Sequence, residues 1–417
     1  MEVVDAGITT PKGFKAIGAH IGIKKRKKDL SIIFSEIPAI CSGVFTQNVV
    51  KAACIEINKE HIEKSGNNIQ AIVINSGNAN ACTGIRGYND AKRMIEVLAN
   101  SLNISSLSCL NASTGVIGEF LPIEKIEDGI KENVKNLAKT REAGIKAAKA
   151  IMTTDTFYKE SAVRVNINGK DVTIAGIAKG SGMIHPNMAT MLGFITTDAN
   201  IKKELLDRAF KSSIDNSFNM ISVDGETSTN DMAIVLANGQ AENNLIENQD
   251  SEEYKKFQEG LQYVCLNLAK QIVKDGEGAS KFININIKNA LSKECAKALC
   301  KSVMNSNLVK TAFFGSDANW GRILSAMGQV CPNCNLCKNN SFEQSQVTIS
   351  FSSKVGDILL FEKGQALKFD EQKALKILKE NEIDVNINLN NNRGYNITGY
   401  TCDLTYDYVK INASYRS

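Results

Sequence analysis

Short segments rich in β-branched residues alternate with amphipathic segments along the whole chain, and this alternation constrains the fold more than any other feature of the sequence. Turn-forming residues bound the short segments, and apolar residues recur at helical spacing in the longer ones. The segments lack the regular spacing of a βαβ series, so we predict an α+β fold rather than a doubly wound sheet. The predicted strands are 30–34, 54–57, 70–74, 163–167, 172–177 and 282–287, and the predicted helices are 90–102, 123–137, 142–152, 201–214 and 252–273.

The length of 417 residues is enough for two or three folding units. A change of texture toward Gly- and Asn-rich segments places a soft boundary near 278–288. We therefore expect a layered main domain of α/β/β/α type over 1–282 and a smaller α+β C-terminal domain over 283–417. The dipeptide Asn168-Gly169 between two alternating segments also predicts a β-hairpin.

Charge, histidine content and cysteine content exclude several classes of protein. A formal net charge of +4 is too small to favour nucleic acid or a membrane surface as partner, and no run of about 18 apolar residues is present. The 3 histidines, His20, His61 and His185, nearly exclude a multi-histidine metal site, and a Ser/His/Asp triad would have to use one of them. The 11 cysteines, without an export signal, indicate free thiols, so we expect a cytoplasmic protein.

Clusters of small and polar residues interrupt the periodic segments at 75–84, 111–118, 178–198, 222–231 and 275–279. Thr114 and Gly115 can offer a hydroxyl and a backbone N–H to one oxygen, as an oxyanion site requires, or can form a plain glycine turn. The 75–84 segment can form a nest of N–H groups or a tight loop satisfied internally. Glu277, between two glycines, can receive a substrate ammonium or lie in a solvated turn. Thr190, in an apolar run, is by itself typical of a buried strand.

Together these clusters resemble the ornithine acetyltransferase family, the glutamate N-acetyltransferases of arginine biosynthesis, over essentially the whole chain. The sequence Pro186-Asn-Met-Ala-Thr-Met-Leu192 is the most specific part of this resemblance, in combination with the Thr-Gly cluster upstream. The segments that carry the resemblance are 75–84, 113–118, 179–198, 222–231, 311–323 and the tail 411–417.

The resemblance implies that the chain is made as a precursor that cuts itself between Ala189 and Thr190. The Thr190 hydroxyl attacks the preceding carbonyl, an N→O acyl shift gives an ester, and water opens the ester. The new N-terminal threonine has an α-amine with a pKa of about 7.7–8.0 beside its own hydroxyl. It can therefore act as base and nucleophile in a chain poor in histidine. The working unit would be the fragments 1–189 and 190–417, folded together before the cut.

The family's reaction is a ping-pong transfer of acetyl from N2-acetylornithine to glutamate, through an acetyl-enzyme on Thr190. By the resemblance, Thr114 and Gly115 stabilise the oxyanion of the tetrahedral intermediate. Thr154 is a neighbour that could be confused with Thr153, and the C-terminal tail folds back to the active site. The implied substrate-binding residues are Thr153, Lys179, Thr190, Glu277, Asn412 and the terminal Ser417.

The family's exchange reaction requires no cofactor and no metal. Some members also accept acetyl-CoA as a co-substrate and make N-acetylglutamate from it, and no sequence feature decides whether this chain does. The resemblance further implies a heterotetramer with two fragments of each kind. Its partners would be small-molecule substrates, with neither nucleic acid nor a membrane among them.

Two features of the sequence lie outside the resemblance. The spacing of Cys331, Cys334 and Cys337 can bind zinc or an iron–sulfur cluster, but a fourth cysteine is remote in sequence, and a loop with free thiols is the alternative. The basic run 24–28 is similar to a localisation or polyanion signal. Its position before Asp29 and a strand favours a solvated turn instead.

Two other functions are compatible with these residues. An N-terminal-nucleophile amidohydrolase or aminopeptidase would use the same Thr190 with water as acceptor, and its activity would not depend on glutamate. A non-enzymatic metal-binding protein built on the three-cysteine loop would remain one intact chain and would carry bound zinc or iron.

Overall fold

A computed structural model describes residues 1–185, 191–330, 342–391 and 394–414 of the protein. Six of the candidate site residues lie within these ranges: Thr114, Gly115, Thr153, Lys179, Glu277 and Asn412. Other residues that the sequence analysis singles out lie outside them: Ala189, Thr190, Cys331, Cys334, Cys337 and Ser417.

The chain forms both strands and helices, which confirms the predicted α+β class. The strands are β1 Glu2–Val3, β2 Phe14–Ala19, β3 Leu30–Phe45, β4 Ile69–Asn78, β5 Cys109–Val116, β6 Lys159–Ile167, β7 Lys170–Lys179, β8 Leu192–Thr197, β9 Ile221–Ser222, β10 Met232–Ala237, β11 Phe282–Ala290, β12 Thr348–Ser353, β13 Gly356–Glu362, β14 Gln365–Ala366, β15 Glu382–Asn388 and β16 Tyr395–Cys402. The α-helices are α1 Ala53–Ser65, α2 Gly84–Leu102, α3 Ile123–Asn133, α4 Arg141–Ile151, α5 Lys203–Asp215, α6 Glu252–Lys274, α7 Lys293–Asn305, α8 Asn307–Phe314, α9 Trp320–Gly328, α10 Glu371–Leu378 and α11 Tyr406–Ser414.

Two compact units divide the chain. The first contains Met1–Asn219 and Glu226–Ile272, and the second contains Met220–Gly225 and Val273–Tyr415. The second unit therefore includes a short segment, with strand β9, from the middle of the sequence. The predicted boundary after residue 282 falls inside the second unit, because contacts rather than composition decide to which unit a residue belongs.

The first unit is built on one sheet, with the strand order β1-β6-β7-β8-β10-β3-β4-β5 and with β2 paired to β3. The long strand β3 joins two portions of this sheet, since 30–34 pair with β4 and 40–45 pair with β10. Strands β6 and β7 form a hairpin whose turn residues Asn168 and Gly169 have φ angles of 51° and 80°. Positive φ at both turn residues is what an Asn-Gly hairpin turn requires, so the predicted hairpin is confirmed.

Hydrophobic clusters cover both faces of this sheet. On β4, Ile72 lies in a cluster with Phe194 of β8, whereas the next residue, Val73, lies in another cluster with Met94 of α2. On β7, Gly176 packs against a side chain of α6. The strands are apolar on both faces because another portion of the sheet packs against one face and helices pack against the other.

The second unit has its own sheet, with the strand order β14-β13-β12-β15-β11-β16-β9. Its central strand β11 is parallel to β15 and antiparallel to β16. Ile283 and Ile285 point into the hydrophobic core that α7 covers. On the opposite face, the amide of Asn284 donates to Asp384 Oδ1 at 2.9 Å. One buried and one polar face is the expected pattern of a sheet with helices on a single side.

The prediction of a strand at 54–57 is wrong, because these residues lie in the first turns of helix α1. Two residues on the buried face of this helix, Asn58 and His61, are polar, so the apolar spacing of a helix is hidden in the sequence. Both bond to the backbone of β5. Asn58 Nδ2 donates to Asn111 O at 2.7 Å, and His61 Nδ1 lies 2.8 Å from Cys109 O.

Candidate active site

Thr114 and Gly115 lie near the end of β5, where this strand pairs in parallel with the end of β4. Gly115 has a φ of 136°, and its register partner Gly77 has a φ of 108°. A Cβ atom on Gly115 would lie only 2.3 Å from the carbonyl carbon of Gly77. Glycine is therefore required at 115 both by the backbone conformation and by the close approach of the two strands.

The Thr114 hydroxyl accepts a hydrogen bond from Nζ of Lys179, the last residue of β7, at 3.1 Å. A hydroxyl that accepts from an ammonium still has its own proton to donate. Thr114 itself is buried. The pair therefore places a positive charge and an O–H donor beside a glycine backbone, which is an arrangement that can stabilise an oxyanion.

A fully buried carboxylate, Asp155, organises the segment that follows α4. Its Oδ1 accepts from Lys159 Nζ at 2.7 Å and from Gly180 N at 2.8 Å, and its Oδ2 accepts from Thr153 N at 2.8 Å. Burial acts to raise the pKa of Asp155, but Lys159, Lys179 and the hydrogen bonds outweigh it and lower that pKa to about 2. Asp155 therefore remains charged and connects the Thr153 segment to the residue that follows Lys179.

Lys24 belongs to the same group of residues, although the sequence analysis placed it in a solvated turn. The turn is real, and Lys25 is exposed, but Lys24 is only partly accessible and its Nζ donates to Met152 O at 2.9 Å. A Cβ atom on Gly77 would lie 2.9 Å from Cγ of Lys24, so the lysine stem lies against that glycine. Burial lowers the pKa of Lys24 to about 8, against the opposite effect of Asp29.

The backbone around Lys24 is fixed by the buried carboxylate of Asp29. Asp29 Oδ2 accepts from the N–H groups of Ile23 and Lys24, each at 2.8 Å, and Oδ1 accepts from Ile21 N at 2.7 Å. These bonds fold the basic run into a defined loop. The position of Lys24 is thus a consequence of the Asp29 that follows the run.

In the 75–84 segment, residues 75–78 end strand β4, and the loop 79–83 connects this strand to α2. The asparagine side chains of the segment bond within the unit: Asn75 Nδ2 donates to Asn78 O at 2.9 Å, and Asn80 N donates to Asn78 Oδ1 at 2.8 Å. Asn230, from the 222–231 cluster, donates through Nδ2 to Ser113 O at 2.8 Å. The bond from Asn230 thus fixes the backbone at Ser113, directly before Thr114.

The second unit contains a separate candidate pair, Glu277 and Asn412. Glu277 is 8% exposed and lies in the turn after α6, and Asn412 Nδ2 of helix α11 donates to its Oε2 at 2.8 Å. Gly278, with a φ of 68°, lets the turn pass close to the backbone of Tyr408. Because its partner Asn412 is a neutral amide, this hydrogen bond brings no positive charge that would compete with a substrate ammonium group for the carboxylate.

The structure thus brings together two sets of the residues expected from the sequence. One network in the first unit contains Thr114, Gly115, Lys179 and Thr153. A pair in the second unit consists of Glu277 and Asn412. Thr154 is half-buried like Thr153, so burial does not separate these two neighbours. Sequence reasoning missed Asp155, Lys159 and Lys24. The signal that could have found Asp155 is its position directly after the two threonines.

The part of the chain that the structure describes contains neither a metal-ion cluster nor a membrane-spanning helix. Among its residues, no group of three or more His, Cys, Asp or Glu side chains is arranged to hold a metal ion. Within the same ranges, no helix is both long and apolar enough to cross a membrane. The three-cysteine loop lies outside the described residues, so the structure does not decide between its two alternatives, a metal site and a loop with free thiols.

Comparison with known proteins identifies the family. The model of the ArgJ family matches residues 15–417, and the chain belongs to this family. The resemblance predicted from the motifs is therefore confirmed.

Individual relatives match over nearly their entire length. The arginine biosynthesis bifunctional protein ArgJ of Caldanaerobacter subterraneus is 50% identical over 417 residues, which is 100% of both chains. ArgJ 1 of Clostridium acetobutylicum is 52% identical over 411 residues, covering 98% of this chain and 97% of that one. A crystal structure of ornithine acetyltransferase complexed with ornithine, from Mycobacterium tuberculosis, is 35% identical and covers 45% of this chain and 98% of that one, with a TM-score of 0.42.

Proposed function

We propose that this protein is a glutamate N-acetyltransferase of arginine biosynthesis, which moves acetyl from N2-acetylornithine to glutamate. The observation that carries the proposal is the Lys179–Thr114 hydrogen bond beside Gly115, in a chain of the ArgJ family. This arrangement supplies oxyanion stabilisation without histidine. The relatives' name, arginine biosynthesis bifunctional protein, supports the pathway and a second activity.

Thr190 is the nucleophile in this proposal. After the precursor cuts itself between Ala189 and Thr190, the freed α-amine takes the proton of the Thr190 hydroxyl as the oxygen attacks the acetyl carbonyl. Thr114 and the Gly115 N–H stabilise the resulting oxyanion. The intermediate collapses, the proton passes to the departing amine, and ornithine leaves an acetyl ester on Thr190. Attack by the glutamate amine reverses these steps and gives N-acetylglutamate.

The remaining residues have binding roles in the proposal. Lys179 and Thr153 contact the substrate near the reacting carbonyl, and the Asp155 network holds both in position. Glu277, with its charge-neutral partner Asn412, receives the ammonium end of the substrate, and the terminal Ser417 also binds the substrate.

The proposal includes the assembly and the other requirements of the reaction. No cofactor or metal takes part, and acetyl-CoA is the candidate donor for the second activity. The two fragments, 1–189 and 190–417, assemble as a heterotetramer in the cytoplasm. The two folding units act as a main catalytic domain and a smaller C-terminal domain.

The decisive assay supplies N2-acetylornithine and glutamate to the purified protein. We expect ornithine and N-acetylglutamate in equal amounts, and no product from Thr190→Ala, whereas Thr190→Ser should retain partial activity because it keeps a hydroxyl. Release of free acetate at the same rate without glutamate would instead identify an amidohydrolase. Stoichiometric zinc or iron in an intact, inactive chain would identify a metal-binding protein.

A further inference from the structure

Lys24 has features of a ligand-binding residue that the family resemblance does not assign. Its ammonium is held between two segments of the candidate site: the stem lies against Gly77, and Nζ donates to Met152 O, directly before Thr153. Gly77 is in turn the register partner of Gly115. Lys24 therefore flanks the oxyanion residues from the β4 side, whereas Lys179 reaches Thr114 from the end of β7.

The charged groups around Lys24 leave its ammonium able to bind an anion. Lys159 forms a buried ion pair with Asp155 at 2.7 Å, so this pair is neutral as a whole. The carboxylate of Asp29 is occupied by backbone N–H groups and lies beneath the Lys24 loop. The hydrogen bond of Lys24 Nζ is to a neutral carbonyl, and an ammonium has three donors. A carboxylate that approached Thr114 would thus meet two ammonium groups, those of Lys24 and Lys179.

The substrate of the proposed function carries a carboxylate at the required place. In an N2-acetyl amino acid, the α-carboxylate and the acetamido nitrogen are bonded to the same carbon. When the acetyl carbonyl lies against Thr114 and Gly115, the carboxylate must therefore lie in the immediate surroundings. Both N2-acetylornithine and N-acetylglutamate share this group, whereas their side chains carry opposite charges.

We propose that Lys24 binds the α-carboxylate of the N-acetylated amino acid and so selects acetyl donors that carry a free carboxylate. This inference rests on the proposed function and adds a specificity-determining residue to it. The alternative is that Lys24 only ties its loop to Met152. The two differ in one respect: a binding residue must sense whether the substrate is charged.

The test combines two proteins with two substrates. Lys24→Met keeps most of the stem and removes the charge, and the α-carboxamide of N2-acetylornithine keeps the shape and removes the carboxylate. Wild type should use the carboxamide about 10- to 100-fold less efficiently in kcat/KM, the effect of losing one charge-assisted bond. Lys24→Met should lose a similar factor with the natural donor but show little further loss with the carboxamide. Lys25→Met, at the exposed neighbour, should behave as wild type.

The pH dependence gives a second readout. With a pKa of about 8, Lys24 loses its charge as pH rises through this value, so KM for the natural donor should rise above about pH 8. Lys24→Arg, which stays charged, should not show this rise, and neither should the carboxamide in wild type. The other charged groups that act on Lys24 are Asp29, Lys27, Asp155 and Lys179, and they are the same in all variants. The Thr190 amine acts equally on both substrates.

Three outcomes are distinguishable. A wild type that transfers no acetyl group refutes the proposed function itself. An active wild type, with Lys24→Met equally impaired on the acid and the carboxamide, refutes the role of Lys24 alone. If Lys24→Met does not fold, the pH profile of Lys24→Arg decides, and a profile that still rises above pH 8 as in wild type overturns the inference.

Discussion

Among the described residues, the first unit contains one almost completely buried lysine and the second contains two, and their partners differ. In the first unit, Lys159 is paired with the carboxylate of Asp155, within a network that includes Thr153 and Gly180. In the second unit, Lys310 of α8 donates to the carbonyl of Cys402 and to Thr401 Oγ1. The first lysine thus belongs to a charged network, whereas the second bonds to neutral groups of one strand.

Lys281 of the second unit follows the pattern of Lys310. Its ammonium donates to the carbonyl of Phe313, in the last turn of α8, and to Ser316 Oγ at 2.7 Å. A cation at the carbonyl end of a helix stabilises that end. The difference between the units shows that burial of a lysine does not by itself indicate a site. The indication is a carboxylate that collects several cations beside a strained glycine and a hydroxyl.

The largest expected effect on stability separates the two kinds of lysine. Asp155→Asn leaves the buried ammonium of Lys159 without a counter-charge, so we expect a loss of about 3–5 kcal/mol in the free energy of unfolding. Lys310→Met removes the charge itself and leaves one carbonyl without its donor, so about 1–3 kcal/mol should be lost. Urea unfolding of both variants measures this. Equal losses would break the distinction.

The next expected effect is on catalysis and should be confined to the first unit's network. Thr114→Ala removes one oxyanion donor, which should lower kcat about 10²–10³-fold. Thr114→Ser keeps the hydroxyl and should retain most of the activity. Lys310→Met is the control for a buried substitution in the second unit, and its kcat should stay near that of wild type. A Thr114→Ala protein with unchanged kcat would remove the basis for the site.

A third effect follows from the pKa of Asp155. In the folded protein this pKa is lowered from 3.8 to about 2, so the carboxylate contributes stability that is present above about pH 4 and is lost as pH falls toward 2. The contribution is about 2 kcal/mol. The stability difference between wild type and Asp155→Asn should therefore shrink by about this amount between pH 5 and pH 2. A constant difference would show that the pair is not ionised as described.

The smallest expected effect tests whether the second unit also has a binding role. Asn412→Ala removes the neutral partner that orients Glu277 Oε2, and should raise KM for N2-acetylornithine about tenfold through loss of one hydrogen bond to a charged group. Ser414→Ala, an exposed change on the same helix, is the matched control. Steady-state kinetics of both variants checks this. An unchanged KM in Asn412→Ala would contradict a binding role for the second unit.

The sequence alone was sufficient for part of this account. Local signals such as Asn168-Gly169 determine the hairpin, and the motif around Thr114 and Lys179 identifies the family. The sequence predicts a strand where helix α1 begins, because the polar residues Asn58 and His61 lie on the buried face of this helix. They bond to the backbone of β5, which is a contact between distant segments. The prediction of a solvated turn at Lys24 fails for the same reason, since its contacts are with Met152 and Gly77, which are distant in the sequence.

The most direct test of the central claim is the intact mass of the wild-type protein after incubation with N2-acetylornithine alone. We predict the two fragments 1–189 and 190–417, with one added acetyl group on the second, and the loss of that group when glutamate is added. Thr190→Ala should give one unmodified full-length chain. An uncut wild-type chain that transfers acetyl at full rate, or a cut chain that transfers it without carrying an acetyl group, would contradict an acetyl-enzyme on Thr190.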